Sequence, residues 1–381
     1  MPERPNGAVL KTVVRKHRGF ESHSLRPGQS NWRGRSPPRR ALLLPRSIEP
    51  LAEPTSWRTR VTDQSFDPAH FFDHFPRFVE TDQLGSVVDR LNARYLGIIH
   101  ANRELIEGAT VLDLASHDGR FSFAALQNGA ARVVGIEFGS GLVQKARSNM
   151  EHYGVPKDRY EFVTGDIFEL IEQVEDCDVV LCFGILYHVN SHLLLLSKIA
   201  ELDPRAVIID TNISLMKQPV IELRGPVAGR PLQLGESVEG YPSRAALDAM
   251  LSSFGWKYEY FDWEHSGLVD KKQMWDYEGG RRVSVVVDCN RHVFSKEERE
   301  RAVQMVLATQ RDRRSQWQSI MRVASSFEIP RPVLHSWVRK AEREAAQAAN
   351  LPQSTLPQST RSRARRLWDK SVRALRRRSK R

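Results

Sequence analysis

The chain has 381 residues, with 57 Lys and Arg against 46 Asp and Glu and a formal net charge of +11. This length suits one large or two small domains, and no apolar run approaches the roughly 20 residues that cross a bilayer, which argues against a membrane span. The N-terminus lacks the apolar segment of a secretion signal, and the three cysteines (Cys177, Cys182 and Cys289) have no metal-ligand spacing. We therefore expect a cytoplasmic protein without a bound metal.

The charge is divided unevenly along the chain. Residues 1–60 carry 13 Lys and Arg against 4 Asp and Glu (net +9), residues 61–295 carry 22 against 34 (net −12), and residues 296–381 carry 22 against 8 (net +14). An acidic centre between two basic ends places any affinity for nucleic acid at the ends. Composition and pattern together divide the chain into four segments, which are 1–59, 60–293, 294–346 and 347–381.

The first and last segments have compositions typical of disordered chain. Residues 1–59 are rich in Arg, Pro, Ser and Gly without a sustained period, and residues 347–381 contain LPQST twice, as a low-complexity linker, before a basic tail. Gly19–Ser22 is what the T-arm of a transfer-RNA gene encodes when it is read as protein. Two interpretations of residues 1–59 stay open: a spurious segment from a start site assigned too far upstream, or a basic tail that binds acidic partners.

A strand, a turn, a helix and a second strand follow one another between residues 109 and 138. The first strand, Thr110–Leu114, contains Asp113, the turn contains Gly119, and the second strand, Val133–Ile136, leads into Glu137. This order is typical of a nucleoside-binding α/β half, in which the second acid accepts hydrogen bonds from both ribose hydroxyls.

These residues resemble the signature of class I S-adenosylmethionine-dependent methyltransferases, which is an apolar strand, an acid, a small residue, a variable triplet and a glycine. Asp113, Ala115, His117, Asp118 and Gly119 stand at the corresponding positions. Two customary glycines are replaced, by Ala115 and His117, and we expect a narrower turn. A dinucleotide oxidoreductase is the competing interpretation, but it requires three glycines at fixed offsets and this turn keeps one.

The resemblance implies an α/β fold with a Rossmann-like, seven-stranded methyltransferase sheet over residues 60–293, and S-adenosyl-L-methionine as cofactor. Tyr160–Thr164 and Asp178–Phe183 are the predicted third and fourth strands, and in the family the residues after the third strand contact the adenine. The implied cofactor-binding residues are Asp113, Ala115, His117, Gly119, Glu137, Phe138, Asp166, Ile167 and Phe183.

The remaining strands of the sheet are predicted from short apolar runs. Arg205–Asp210 is the expected fifth strand, and Trp256–Trp263 and Val283–Asp288 are the expected last two. Residues 214–240 form an insertion that is long enough for a lid over substrate. Ser243 is a candidate N-cap for the helix that follows this insertion.

The loop after the fourth strand holds the candidate catalytic residues, Tyr187 and His188. A histidine has an ordinary pKa of about 6.5, which suits a general base, whereas the alternative is a loop histidine that hydrogen-bonds the backbone. Tyr187 is a candidate to orient the acceptor or to pack on the cofactor. The Gly184–His188 loop resembles that of small-molecule O- and C-methyltransferases, and also that of enzymes that alkylate the wobble uridine of tRNA. The acidic centre favours a small-molecule methyl acceptor over a polyanion.

Residues 294–346 resemble the helix-turn-helix of insertion-sequence transposases, a small all-α unit. Ala324, Ile329, Leu334 and Trp337 occupy core positions of that family, and Glu328 stands in the turn where a glycine is usual. The resemblance implies that the second helix lies in the major groove of DNA, with candidate contacts from Arg331, His335, Arg339 and Lys340.

Two functions of different classes stay open from the sequence. The first is a methyltransferase with an appended DNA-binding region, and the second is a DNA-binding protein whose enzyme-like fold has lost catalysis. A basic helical hairpin that packs on the enzyme is the alternative to DNA binding at the C-terminal end.

Overall fold

The structure, a computed structural model, describes residues 66–80, 87–174, 177–225, 238–268, 273–289, 294–309 and 313–350. The predicted disordered segment 1–59 and the tail from residue 351 onward lie outside the described residues, and so does part of the predicted insertion, residues 226–237. Among the described residues, no helix is both long enough and apolar enough to cross a membrane.

Seven strands form one mixed sheet with the order β3-β2-β1-β4-β5-β9-β8. Strands β1 to β5 are parallel, and β9 runs antiparallel between β5 and β8. The strands of the sheet are β1 (Thr110–Leu114), β2 (Arg132–Glu137), β3 (Tyr160–Thr164), β4 (Val179–Phe183), β5 (Ala206–Asn212), β8 (Lys257–Tyr260) and β9 (Arg282–Asp288). All seven predicted strands are present, so the predicted Rossmann-like architecture is confirmed.

The helices and the remaining strands surround this sheet. The α-helices are α1 (Phe71–His74), α2 (Arg77–Glu80), α3 (Val88–Arg94), α4 (Arg103–Ile106), α5 (Arg120–Gln127), α6 (Ser140–His152), α7 (Ile167–Leu170), α8 (His192–Glu201), α9 (Arg244–Ser253), α10 (Trp275–Glu278), α11 (Lys296–Thr309), α12 (Arg313–Ser326) and α13 (Arg331–Asn350). Short 3-10 turns lie at Pro68–His70, His100–Asn102, Ile171–Gln173 and Leu186–His188, and a π-helical stretch lies at Tyr95–Ile99. Ser243 caps α9 as predicted, because its Oγ accepts a hydrogen bond from the Ala246 amide at 3.1 Å.

Two apolar clusters cover the opposite faces of the sheet. Val111 and Val133 belong to the first cluster and Leu112 and Val134 to the second, because successive side chains of a strand point to opposite faces. The order of the strands reverses at β1, which lies between β2 and β4. Open α/β sheets bind ligands at the carboxyl ends of the strands beside such a reversal, so this edge is the first place to look for a site.

The predicted insertion contains a small hairpin. Strands β6 (Ile221–Arg224) and β7 (Glu239–Pro242) pair antiparallel, apart from the main sheet. From the sequence, this insertion was described as long enough for a lid, and its two strands were not identified.

Helices α11, α12 and α13 form a third apolar cluster that packs on the main domain. Ser336 Oγ donates a hydrogen bond of 3.5 Å to the carbonyl of Ala200 on α8, and Arg343 forms a 2.7 Å ion pair with Glu201. The turn residue Glu328 has a φ of 53°, which is the left-handed backbone that glycine favours. These helices are therefore attached to α8, and their turn has the geometry for which a glycine is customary.

A substitution at Gly255 tests this attachment. Gly255 has a φ of +67°, and a Cβ there would lie 2.5 Å from Pro330 Cγ, whereas Gly154 has a φ of +70° with nothing within 4 Å. Gly154→Ala should lower the free energy of unfolding by about 1 kcal/mol from backbone strain alone. Gly255→Ala should lower the free energy of unfolding by about 1–3 kcal/mol more than Gly154→Ala does, because the ring of Pro330 must move. Urea unfolding measures the stability of both variants. Equal losses of stability would contradict the contact between Gly255 and Pro330.

Candidate active site

The turn after β1 adopts left-handed backbone at three alternate positions. The φ angles are 57° at Ala115, 53° at His117 and 79° at Gly119. A left-handed conformation costs a residue with a Cβ roughly 1–2 kcal/mol, so the strain at the first two positions must be offset by neighbouring contacts. The turn thus keeps the backbone that glycines favour although two of these positions carry side chains.

Glu137, at the end of β2, stabilises this strained turn through hydrogen bonds. Its Oε2 accepts a hydrogen bond of 3.0 Å from the His117 amide, and its Oε1 accepts one of 2.8 Å from the Gly139 amide. The side chain is 8% exposed. A carboxylate oxygen has two lone pairs, so each oxygen can accept one further hydrogen bond. Glu137 therefore joins the turn after β1 to the start of α6. Each of its oxygens keeps one acceptor site, and contact with a ribose stays a prediction.

Two buried aspartates lie beneath this turn. Asp113 is turned towards α5, where it accepts a 2.6 Å hydrogen bond from Ser122 Oγ, and burial raises the pKa of its carboxyl to about 7. Burial also acts to raise the pKa of Asp118, but His117 and Arg120 outweigh it and hold this pKa below its usual value. Arg120 Nε donates to Asp118 Oδ1 at 2.7 Å. Both carboxyls support the turn from inside, and direct contact of Asp113 with a cofactor stays a prediction.

The other candidate cofactor residues lie at neighbouring strand ends. Glu137 pairs in register with Thr164, which brings Phe138 and Asp166 to the same edge of the sheet. Phe138 is 49% exposed, and Asp166 is exposed and caps α7 by accepting a 2.6 Å hydrogen bond from the Phe168 amide. Ile167 and Phe183, at the ends of β3 and β4, are buried.

Ala115→Gly provides a test of the strained turn. Removing the Cβ relieves the left-handed strain but adds freedom to the unfolded chain, so the free energy of unfolding should rise by about 0.5–1 kcal/mol. Ala125→Gly, inside α5, is the matched control and should lower it by about 1 kcal/mol or more. Urea unfolding compares the two variants. If Ala115→Gly lowered the free energy of unfolding as much as Ala125→Gly does, the backbone at residue 115 would not be left-handed.

A second group of polar side chains lies beyond β4. His188 Nδ1 is 2.7 Å from Glu239 Oε1, and the Tyr241 hydroxyl donates to Glu239 Oε2 at 2.7 Å. The rings of Tyr187 and His188 are 4.0 Å apart between centroids. Burial lowers the pKa of His188, and Glu239 opposes part of that effect. Sequence reasoning selected Tyr187 and His188 but missed Glu239, which is 51 residues away in the insertion.

A buried ionic network holds the loop that carries these residues. Asp210, at the end region of β5, is fully buried and accepts hydrogen bonds from Arg282 Nη2 at 2.7 Å and Arg94 Nη2 at 2.6 Å. The Tyr277 hydroxyl donates to the same carboxylate at 2.9 Å. The carbonyl of Asp210 accepts a 2.7 Å hydrogen bond from the amide of Gly184, where the candidate catalytic loop begins. Sequence reasoning did not identify this network.

The candidate DNA-binding residues lie on α13, apart from the strand ends. Arg331 and Arg339 are exposed, and His335 and Lys340 are half-buried. Arg339 is 3.6 Å from Glu342. DNA contact by these four residues stays a prediction. In the part of the chain that the structure describes, no group of three or more His, Cys, Asp or Glu side chains could hold a metal ion.

Comparison with known proteins finds similarity to methyltransferases over part of the chain. Residues 105–220, which span β1 to β5, match a family model described as a methyltransferase domain. The chain is 43% identical over 79 residues to a Methanocaldococcus jannaschii protein that bears the name of a ribosomal RNA large subunit methyltransferase. It is 32% identical over 101 residues to ribosomal RNA large subunit methyltransferase I of Photobacterium profundum. These matches cover 20% and 26% of this chain and 20% and 24% of the relatives, so the chain spans about a fifth to a quarter of their length.

The solved structures to which the chain is similar are more distant in sequence. The N-terminal domain of EvdMO1 with SAH bound is 21% identical, with 52% of this chain and 79% of that chain covered at a TM-score of 0.39. Magnesium protoporphyrin IX methyltransferase of Synechocystis PCC 6803 with bound SAH is 15% identical, with 57% and 94% covered at a TM-score of 0.38.

Proposed function

We propose that this protein is an S-adenosylmethionine-dependent methyltransferase that acts on a small molecule. The observation that carries the proposal is Glu137, a carboxylate at the end of β2 that is hydrogen-bonded to the turn after β1 and retains acceptor capacity on both oxygens. The match of residues 105–220 to a methyltransferase-domain model supports the same conclusion.

The residues around the turn fit a nucleoside cofactor. Ser116 Oγ is buried and has no hydrogen-bond partner among the described residues, which is unusual for a polar atom and favours a ligand that would satisfy it. Glu137 would hold the ribose hydroxyls, and Asp166 and Ile167 would lie against the adenine. When bound, the cofactor supplies a methyl group on a positively charged sulfur.

The chain's own part in the reaction is mainly alignment. Methyl transfer is an in-line displacement, so the acceptor atom must be held on the line of the breaking bond. The ring of Tyr187 would pack against the acceptor. His188 would accept a proton from an acceptor group that must lose one.

A small acceptor is favoured over RNA by charge and by access. Residues 61–295 carry a net charge of −12, which repels a polyanion. The side chain of His188 is 15% exposed, so an acceptor must reach a recessed ring. The names of the relatives point to ribosomal RNA, and RNA methylation, of rRNA or tRNA, is the alternative. A DNA-binding protein without catalysis is the second alternative.

Calorimetry followed by a label-transfer assay tests the proposal. The full chain should bind S-adenosylhomocysteine, and methyl-labelled S-adenosylmethionine should transfer label to a small-metabolite extract rather than to purified rRNA or tRNA. No binding would overturn the methyltransferase function. Label found only in an RNA fraction would agree with a methyltransferase function but would overturn the proposal of a small-molecule acceptor. Salt-sensitive DNA binding without cofactor binding would leave the non-catalytic alternative.

A further inference from the structure

The β6–β7 hairpin brings a carboxylate to the candidate base. Glu239 is the first residue of β7, and its Oε1 lies 2.7 Å from His188 Nδ1. The side chains of His188 and Glu239 are 15% and 18% exposed. A contact with this degree of burial is screened less by solvent than a surface contact, so the carboxylate of Glu239 has a strong influence on the His188 ring.

Backbone contacts fix the position of Glu239. The carbonyl of the next residue, Gly240, is 2.8 Å from His192 Nε2 at the start of α8. A Cβ on Gly240 would lie 2.7 Å from His192 Cε1 and 2.9 Å from the Val189 carbonyl, so the strand packs directly against the segment that follows His188. The hairpin and the catalytic loop therefore form one packed unit.

The hydrogen bonds of Glu239 also select a tautomer of His188. Because the carboxylate accepts from Nδ1, the neutral ring carries its proton there and has a free lone pair on Nε2. The Tyr241 hydroxyl holds the second carboxylate oxygen at 2.7 Å, and the Arg224 guanidinium lies 3.9 Å from the centroid of the Tyr241 ring. Nε2 has no hydrogen-bond partner among the described residues, which leaves it for a substrate.

We propose that Glu239 is a positioning residue that makes His188 a general base, and that the methyl acceptor is therefore a hydroxyl group. This proposal rests on the proposed methyltransferase function. A neutral amine or a thioether attacks with a lone pair it already has, whereas a hydroxyl must lose its proton as the new bond forms. The hydroxyl oxygen bonds to the methyl carbon, its proton passes to His188 Nε2, and the electron pair of the broken carbon–sulfur bond stays on sulfur. Glu239 stabilises the imidazolium that results.

Other charged and titratable groups around the ring come from three elements. Tyr187 lies on the same 3-10 turn, Tyr241 on β7 and Arg282 on β9, and Arg282 lowers the pKa of His188 as Glu239 raises it. Burial has the largest effect and keeps the ring neutral near pH 7. A neutral ring beside a carboxylate is the state that a base needs before the reaction.

Titration of His188 by NMR of ¹³C-labelled histidine tests the pairing without a substrate. Removing the negative charge in Glu239→Gln should lower the pKa of His188 by about one unit or more. Tyr241→Phe should raise it slightly, because the carboxylate loses a competing donor. Glu222→Gln, on β6 of the same hairpin and bonded to Arg224 and Ser214, is the matched control and should leave the pKa unchanged. An unchanged His188 pKa in Glu239→Gln, or an equal change in Glu222→Gln, would overturn the pairing.

The rate of label transfer to the small-metabolite extract tests the catalytic consequence. In Glu239→Gln the maximal rate should fall by about 10- to 100-fold, and the acid limb of the pH profile should move to lower pH with the pKa of His188. Binding of S-adenosylhomocysteine should be unchanged, which separates this result from a failure of the proposed function. Label found on nitrogen, carbon or sulfur of the product, or a rate that does not change, would overturn the hydroxyl acceptor.

Discussion

Glu137→Gln is expected to weaken the binding of S-adenosylhomocysteine by about 10- to 100-fold, because hydrogen bonds to a charged group contribute about 1.5–3 kcal/mol and an amide keeps one acceptor oxygen only. The amide nitrogen would also face a backbone N–H, either that of His117 or that of Gly139. Isothermal titration calorimetry measures the loss.

Glu161→Gln is the matched control for this result. Glu161 lies on the neighbouring strand β3 and forms a 2.7 Å ion pair with Arg132, and the same change of charge there should leave binding intact. Urea unfolding of both variants separates loss of binding from loss of fold. Unchanged affinity in a folded Glu137→Gln protein would remove the observation on which the cofactor assignment depends.

Asp210→Asn is expected to lower the free energy of unfolding by about 3–5 kcal/mol, which is the typical cost of removing one partner from a buried ionic network. The variant would leave Arg282 and Arg94 without their shared carboxylate. Asp262→Asn changes an exposed aspartate whose carboxylate is bonded to His265, three residues along the chain, and it should leave stability unchanged. Urea unfolding at pH 7 compares the two.

The pH dependence of stability gives a second measurement on Asp210. Burial alone would raise the pKa of this carboxyl, but Arg282 and Arg94 outweigh burial and hold the pKa well below its usual value. A carboxyl with a lowered folded-state pKa stabilises the protein above its unfolded pKa of about 3.9, and this contribution is lost as the pH falls further. The difference in stability between wild type and Asp210→Asn should therefore shrink in acid. A constant difference would contradict an ionised Asp210.

The strands of the sheet could be predicted from the sequence because each is a short run of residues with a recognisable pattern. Thr110–Leu114 matches the structure residue for residue, since a parallel strand buried on both faces is a short apolar run between polar residues. Tyr160–Thr164 also matches, although it is a partly buried strand at the edge of the sheet. Glu137 followed from its spacing to Asp113. These signals are local, so a single chain displays them without any knowledge of its partners.

The parts that the sequence did not predict depend on contacts between distant residues. Glu239 reaches His188 across 51 positions, and Arg282 reaches Asp210 across 72. A polar residue in a sequence is ordinarily assigned to the surface, and only the folded chain shows that these side chains are partners inside the protein. The left-handed backbone at Ala115 is a similar case, because its side chain gives no sign of the conformation that its neighbours impose.

The contact between α13 and α8 changes how the chain can be divided. Val333 on α13 packs against the second apolar cluster of the sheet, and α8 also holds the hairpin through His192. Helix α13 therefore packs on the main domain across the composition boundary at residue 293. An evolutionary exchange of the last helices would require matching changes on α8, so the two parts of this chain are expected to vary together.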